Sequence, residues 1–151
     1  MKTTLLPILL LTTACGSFVP NEGTWTVDSV ETVENTCNME DDAQAGGTMT
    51  LGYIDDGFTL SAGEDEPMNC ILDGKNFDCE AEDQAIDQSD SDFVLSIDFT
   101  VSGSFSSETA MELSTRIDMS CEGADCAEYE EMAEQTLPCG TEFKGALSFT
   151  E

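Results

Sequence analysis

Two long runs in the second half of the chain alternate apolar and polar residues with a period of two. In the first, Phe93, Leu95, Ile97, Phe99 and Val101 alternate with Val94, Ser96, Asp98, Thr100 and Ser102. In the second, Met111, Leu113, Thr115, Ile117 and Met119 alternate with Glu112, Ser114, Arg116, Asp118 and Ser120. Successive side chains of a strand point to opposite faces, so this period defines half-buried β-structure. The linking stretch Ser-Gly-Ser-Phe-Ser-Ser-Glu-Thr, from Ser102 to Thr109, reads as a turn with Phe105-Ser106-Ser107 at its tip. The two runs therefore form a long antiparallel hairpin.

The same period recurs along the rest of the chain. Thr24 to Val33 reads as a strand whose period slips near Ser29 and Val30. Thr48 to Ile54 and Phe58 to Ala62 flank the turn Asp55-Asp56-Gly57. Phe143, Gly145, Leu147 and Phe149 alternate in a last strand. Between Cys70 and Cys79, Gly74-Lys75 suits a two-residue type II′ turn, which takes glycine first. Counting outward from it, Asp73 faces Asn76, Leu72 faces Phe77 and Cys70 faces Cys79. The cysteine pair then falls at a non-hydrogen-bonded position, where Cα atoms approach closely enough for a disulfide. The alternative is that each of these cysteines pairs elsewhere. One helix is expected before the last strand: Asp125 and Glu128 have capping-box spacing, Cys126, Tyr129 and Met132 or Ala133 recur at helical spacing, and Leu137-Pro138 ends it.

Charge excludes several functions. The chain has 32 Asp and Glu against 4 Lys and Arg, a net charge of −28, and no histidine. Such a surface repels phosphate, so nucleic acid is not a partner. Without histidine there is no Ser-His-Asp triad and no His-ligated zinc. Acids are so abundant that no spacing singles out a catalytic pair, and the chain reads as non-enzymatic. Calcium is the cation such carboxylates would take, with Asp87, Asp90 and Asp92 gathering three hard oxygen ligands in one loop. The competing reading is a solvated, repulsive surface.

The amino terminus carries the address. Residues 1–14 combine Lys2, an apolar run from Leu5 to Leu11 and small residues before Cys15, the plan of a secretory signal. The junction resembles a bacterial lipobox, although Thr12 stands where that pattern prefers leucine. The resemblance implies that Cys15 is lipidated, that residues 15–22 tether the chain, and that residues 23–151 form the folded domain. Gly16 and Ser17 follow the cysteine rather than aspartate, which by the same resemblance implies the outer membrane of a bacterial envelope. Without Cys15, six cysteines remain: Cys37, Cys70, Cys79, Cys121, Cys126 and Cys139. An even number suits an exported disulfide framework. Cys121 has Cys126 and Cys139 as candidate partners.

Threading the strands up and down in sequence order gives a small, disulfide-braced antiparallel barrel of about eight strands, which leaves no open edge. It also predicts that all six cysteines and the longer loops, 82–92 among them, gather at one rim. Gly23-Thr24-Trp25, at the start of the first strand, resembles the opening of lipocalin-like domains, and a helix before the final strand is similar to theirs. Cys-Glu-Gly-Ala-Asp-Cys at 121–126, together with the amino-terminal signal, also resembles small lipoproteins of myxobacteria. The lipocalin resemblance implies a cavity for a small apolar ligand, with Trp25, Val27, Leu51, Tyr53, Phe58, Leu60, Phe93, Ile97 and Phe99 as its lining and Arg116 as the basic cover of the tryptophan. The competing expectation is a filled barrel whose acidic, calcium-binding loop rim contacts a partner, with Trp25 as plain core.

Overall fold

The structure is a computed structural model, and it describes residues 18–39, 45–63, 66–80, 83–87 and 92–151. Cys15 and Asp90 lie outside them. The described residues form nine strands and one helix in the order β1 (Gly23–Asn35), β2 (Thr48–Ile54), β3 (Gly57–Ala62), β4 (Met68–Asp73), β5 (Asn76–Glu80), β6 (Gln84–Asp87), β7 (Val94–Ser107), β8 (Ala110–Glu122), α1 (Cys126–Ala133) and β9 (Cys139–Phe149). Each strand from β1 to β5 pairs antiparallel with the next; β5 pairs with β7, β7 with β8, β8 with β9, and β9 returns to β1. Eight strands thus close the barrel expected from the alternation.

The ninth strand departs from that expectation. The segment read as a loop contains β6, which pairs with Val94–Ile97 of β7 above the point where β5 stops pairing with that strand. Its four residues are all exposed, so no apolar alternation marks it in the sequence.

The barrel walls differ in height. Strands β2 to β5 have 7, 6, 6 and 5 residues, whereas β1, β7, β8 and β9 have 13, 14, 13 and 11. The short wall faces only the lower half of the tall one. The hairpin β4–β5 has the expected register, with Cys70 opposite Cys79 and a Cα separation of 3.9 Å. Gly74 has φ +66 while Lys75 keeps negative φ, as a type II′ turn requires. The other disulfides are Cys37–Cys139 and Cys121–Cys126.

Unequal height corrects the prediction that the cysteines share one rim. Cys37, Cys139, Cys121 and Cys126 do stand at the top of the tall wall. Cys79 lies opposite Val101, seven residues down β7 from Val94, or about 23 Å at the strand rise. The Cys70–Cys79 bridge therefore belongs to the packed core of the lower half, where Cys70 is buried.

That core fills the closed end. Trp25, Leu51, Phe58, Leu60, Cys70, Phe77, Phe105, Met111 and Leu147 are all at most 2% exposed. Phe105 is its hub, with ring centroids 5.8 Å from Trp25, 5.8 Å from Phe58 and 5.1 Å from Phe77. Phe105 lies inside β7 and not in the expected turn; the chain reverses at Glu108-Thr109. Gly103 looked like a turn residue in sequence, but its role is spatial. A Cβ there would collide with the Phe77 ring and the Glu112 carbonyl oxygen. The missing side chain lets Phe77 lie across β7 and continues the inward row Val101, Gly103, Phe105.

The helix is shorter than expected, eight residues ending at Glu134 in the left-handed conformation. Asp125 occupies the N-cap position without a side-chain capping bond. Its carboxylate instead accepts the Asp92 backbone N–H at 2.8 Å, tying the helix to the start of β7. The Tyr129 ring lies 5.4 Å from Phe93, which closes that corner of the upper rim.

Candidate functional site

Above the filled end, an apolar cavity of about 240 Å³ lies against the tall wall, lined by Val27, Val30, Leu113, Thr115, Phe143, Gly145 and Leu147. The register explains the set. Val27 pairs with Leu147, Val30 with Gly145, and Gly145 with Leu113, while Phe143 pairs with Thr115. These are successive inward rows on three adjacent strands, β1, β9 and β8. The β1–β9 register shifts between Val27 and Ser29, where the sequence period slips. The bulge puts both Val27 and Val30 on the inner face although they are three positions apart. Gly145 supplies the space, since the middle row has no side chain at its centre. A Cβ there would find only ordinary contacts, 3.5 Å to the Ser29 carbonyl oxygen and 3.7 Å to Leu147 Cδ1.

The floor is the packed core: Leu147 and its cross-strand partner Met111 are each 2% exposed. Thr115 carries the one polar side chain of the lining, and no charged residue is part of it. Strands β2 to β5, at 5 to 7 residues, are shorter than the strands that carry these rows.

Most of the residues expected to line a ligand site do something else. Val27 is in the lining. Trp25, Leu51, Phe58 and Leu60 are packed core. The Trp25 indole N–H donates to the Asn21 carbonyl oxygen at 3.1 Å, and its ring meets Phe105 and Phe149 edge-on. Tyr53 stands at the outer edge of the closed end and donates its hydroxyl to the Pro20 carbonyl oxygen. Burial, and then the negative charges of Glu22 and Glu108, hold its phenol above the ordinary value. Phe93 packs under the helix. Ile97 and Phe99 are half-buried on inward positions of β7 but do not touch the cavity. Val30, Leu113, Thr115, Phe143, Gly145 and Leu147 were not expected. All but Val30, which sits at the slip in the first strand, lie on an alternating run, so their inward face was legible, whereas the identity of the unfilled rows was not.

Arg116 does not cover Trp25. It lies on the outer face, where its guanidinium meets Glu34 at 2.8 Å and Asp118 at 2.7 Å, with Glu142 at 4.0 Å. The hydrogen bonds it donates to the Asp118 and Glu34 carboxylates raise its pKa further. Asp87 ends β6, and Asp92 is engaged with the N-cap of the helix. Among the described residues no group of three or more acidic or cysteine side chains is placed to hold a metal ion.

A second depression of about 540 Å³ lies on the outer face of the same strands. Ser29, Glu31, Ser104, Glu112, Ser114, Lys144 and Ala146 contribute most of its lining from outward positions. It is a solvated trough of hydroxyl and charged groups, separated from the cavity by the sheet at Gly145.

Fold and cavity together define a small, closed, disulfide-braced antiparallel barrel with one end filled and an apolar recess above it. Comparison with the profiles of known families, with curated proteins and with solved structures returns no match.

Proposed function

We propose that this chain is a non-enzymatic, lipid-anchored protein of the bacterial envelope that holds a small apolar molecule in the recess above its core. The observation that carries this reading is the lining: inward rows of apolar side chains around Gly145, with a single hydroxyl and no charge. The volume exceeds the roughly 150 Å³ that suffices for benzene in an engineered apolar cavity. Binding there would draw on removal of apolar surface from water.

The anchor follows from the amino-terminal signal and Cys15, with the outer membrane as its destination. The segment behind it supports a definite orientation. Phe18 packs on Phe105 with ring centroids 5.5 Å apart, Pro20 is buried, and the Asn21 N–H donates to the Glu108 carbonyl oxygen at 2.9 Å. The expected tether is therefore docked on the closed end from Phe18 onward. A lipid on Cys15 would lie within about 11 Å of it, since three residues span no more. The filled end then faces the membrane and the loop rim faces away.

The second reading, a filled structural barrel, draws on the aromatic core. One experiment separates the two. The purified chain is extracted into organic solvent and the extract analysed by mass spectrometry, beside the Gly145→Val variant. The expected result is a small apolar molecule in the wild-type extract and its loss from the variant. An empty extract, together with failure to take up the neutral dye N-phenylnaphthylamine, would leave the filled-barrel reading.

A further inference from the structure

We infer that the recess discriminates by charge, taking up apolar molecules with a cationic or neutral head and rejecting anionic ones such as fatty-acid carboxylates. The inference rests on the recess being a binding site and names the chemistry that such a site accepts.

An anionic ligand needs a cation or a set of donors to replace its water, because an unpaired charge is costly to bury. The chain has 4 basic residues in all, Lys2, Lys75, Arg116 and Lys144, and Lys2 is outside the described residues. Lys75 is at the closed end, where its ammonium donates to the Ser106 carbonyl oxygen at 2.8 Å and lies 5.2 Å from the Phe18 ring centre. Arg116 is held on the outer face among Glu34, Asp118 and Glu142. Lys144 is also outward, 3.5 Å from Glu142. None of these three lines the recess.

The long-range field acts in the same direction. A net charge of −28 on a chain of 151 residues surrounds the recess with negative potential. Fields of this kind reach several kT at a protein surface and are screened by salt. A cationic head leaves its apolar body in the recess and its charge in that field. A carboxylate meets repulsion and has no partner. Thr115 offers a hydroxyl to a neutral head.

The test uses three ligands with one apolar body: octyltrimethylammonium, octanol and octanoate, at neutral pH. Each displaces N-phenylnaphthylamine from the wild-type protein, followed by fluorescence, with Gly145→Val as the control for dye bound elsewhere. In about 0.01 M salt the ammonium should displace the dye at a concentration about tenfold or more below that of octanoate, with octanol between, and in about 1 M salt the gap should narrow to what the unpaired carboxylate alone costs. Octanoate displacing as well as the ammonium at low salt would overturn the charge inference and leave the recess reading standing. A dye that does not bind, or that binds Gly145→Val equally, would overturn the recess reading and the inference with it.

Discussion

Single residues decide how the interior is shared between packing and space. Gly103 and Gly145 occupy equivalent inward positions, one on each side of Leu113. The first is filled by the Phe77 ring and the second is left open. Gly103→Ala should lower stability by about 1–3 kcal/mol, because overpacking displaces side chains and backbone. A urea denaturation midpoint checks it. Gly145→Val should raise that midpoint, since it gives a strand a β-branched residue and fills a void. Opposite outcomes at two inward strand glycines would follow from tertiary surroundings alone. Tyr53 gives a pH prediction. Its folded pKa is raised, so the fold favours the neutral phenol; that contribution is complete below about pH 10 and is lost as pH rises through the folded value. Absorbance titration in a Tyr129→Phe background should show Tyr53 ionising above the free phenol. Tyr53→Phe should reduce the loss of stability on the alkaline side.

At the scale of elements, the three disulfides close loops of very different length. Cys37–Cys139 has a separation of 102, Cys70–Cys79 of 9 and Cys121–Cys126 of 5. The chain-entropy relation assigns them about 4.7, 2.7 and 2.2 kcal/mol. Replacing each pair by alanine should reduce stability in that order at the two rim bridges. The Cys70–Cys79 pair should lose more than its loop value, because both sulfurs also pack in or against the core. Peptide mapping under non-reducing conditions checks the connectivity and denaturant titration the order. The hairpin from Cys70 to Cys79 was readable because turn, register and cysteine pairing are all local. The partner of Cys121 was not, since both candidates lie in the connection to the last strand. The structure pairs it with Cys126 at the start of the helix. Strand β6 was unreadable for another reason: nothing in it alternates, and it is held by the exposed edge of β7.

For the whole molecule, charge opposes compaction. Arg116 joins carboxylates from β1, β8 and β9, and few other cations are present to offset the acids. Thermal melts followed by circular dichroism should rise as salt increases from about 0.01 M to about 0.5 M, through the range where the Debye length falls below protein dimensions. Arg116→Gln should melt lower than wild type, with a larger difference at low salt. A melting temperature insensitive to salt would show that repulsion is not a controlling term. The same field underlies the charge selectivity inferred for the recess.

Sequence alone determined what is local. Period two assigned the inward face of the long strands, and paired turns set the order of the barrel. The Gly74-Lys75 hairpin and the slip at Ser29 could be read directly because strand neighbours and turn chemistry depend on residues close in the chain. Tertiary structure decided what stands opposite each inward face. Whether an inward side chain becomes core or cavity lining depends on the length of the strand across the barrel. That is why Trp25 is buried, Val30 borders a void, and the six cysteines occupy two levels.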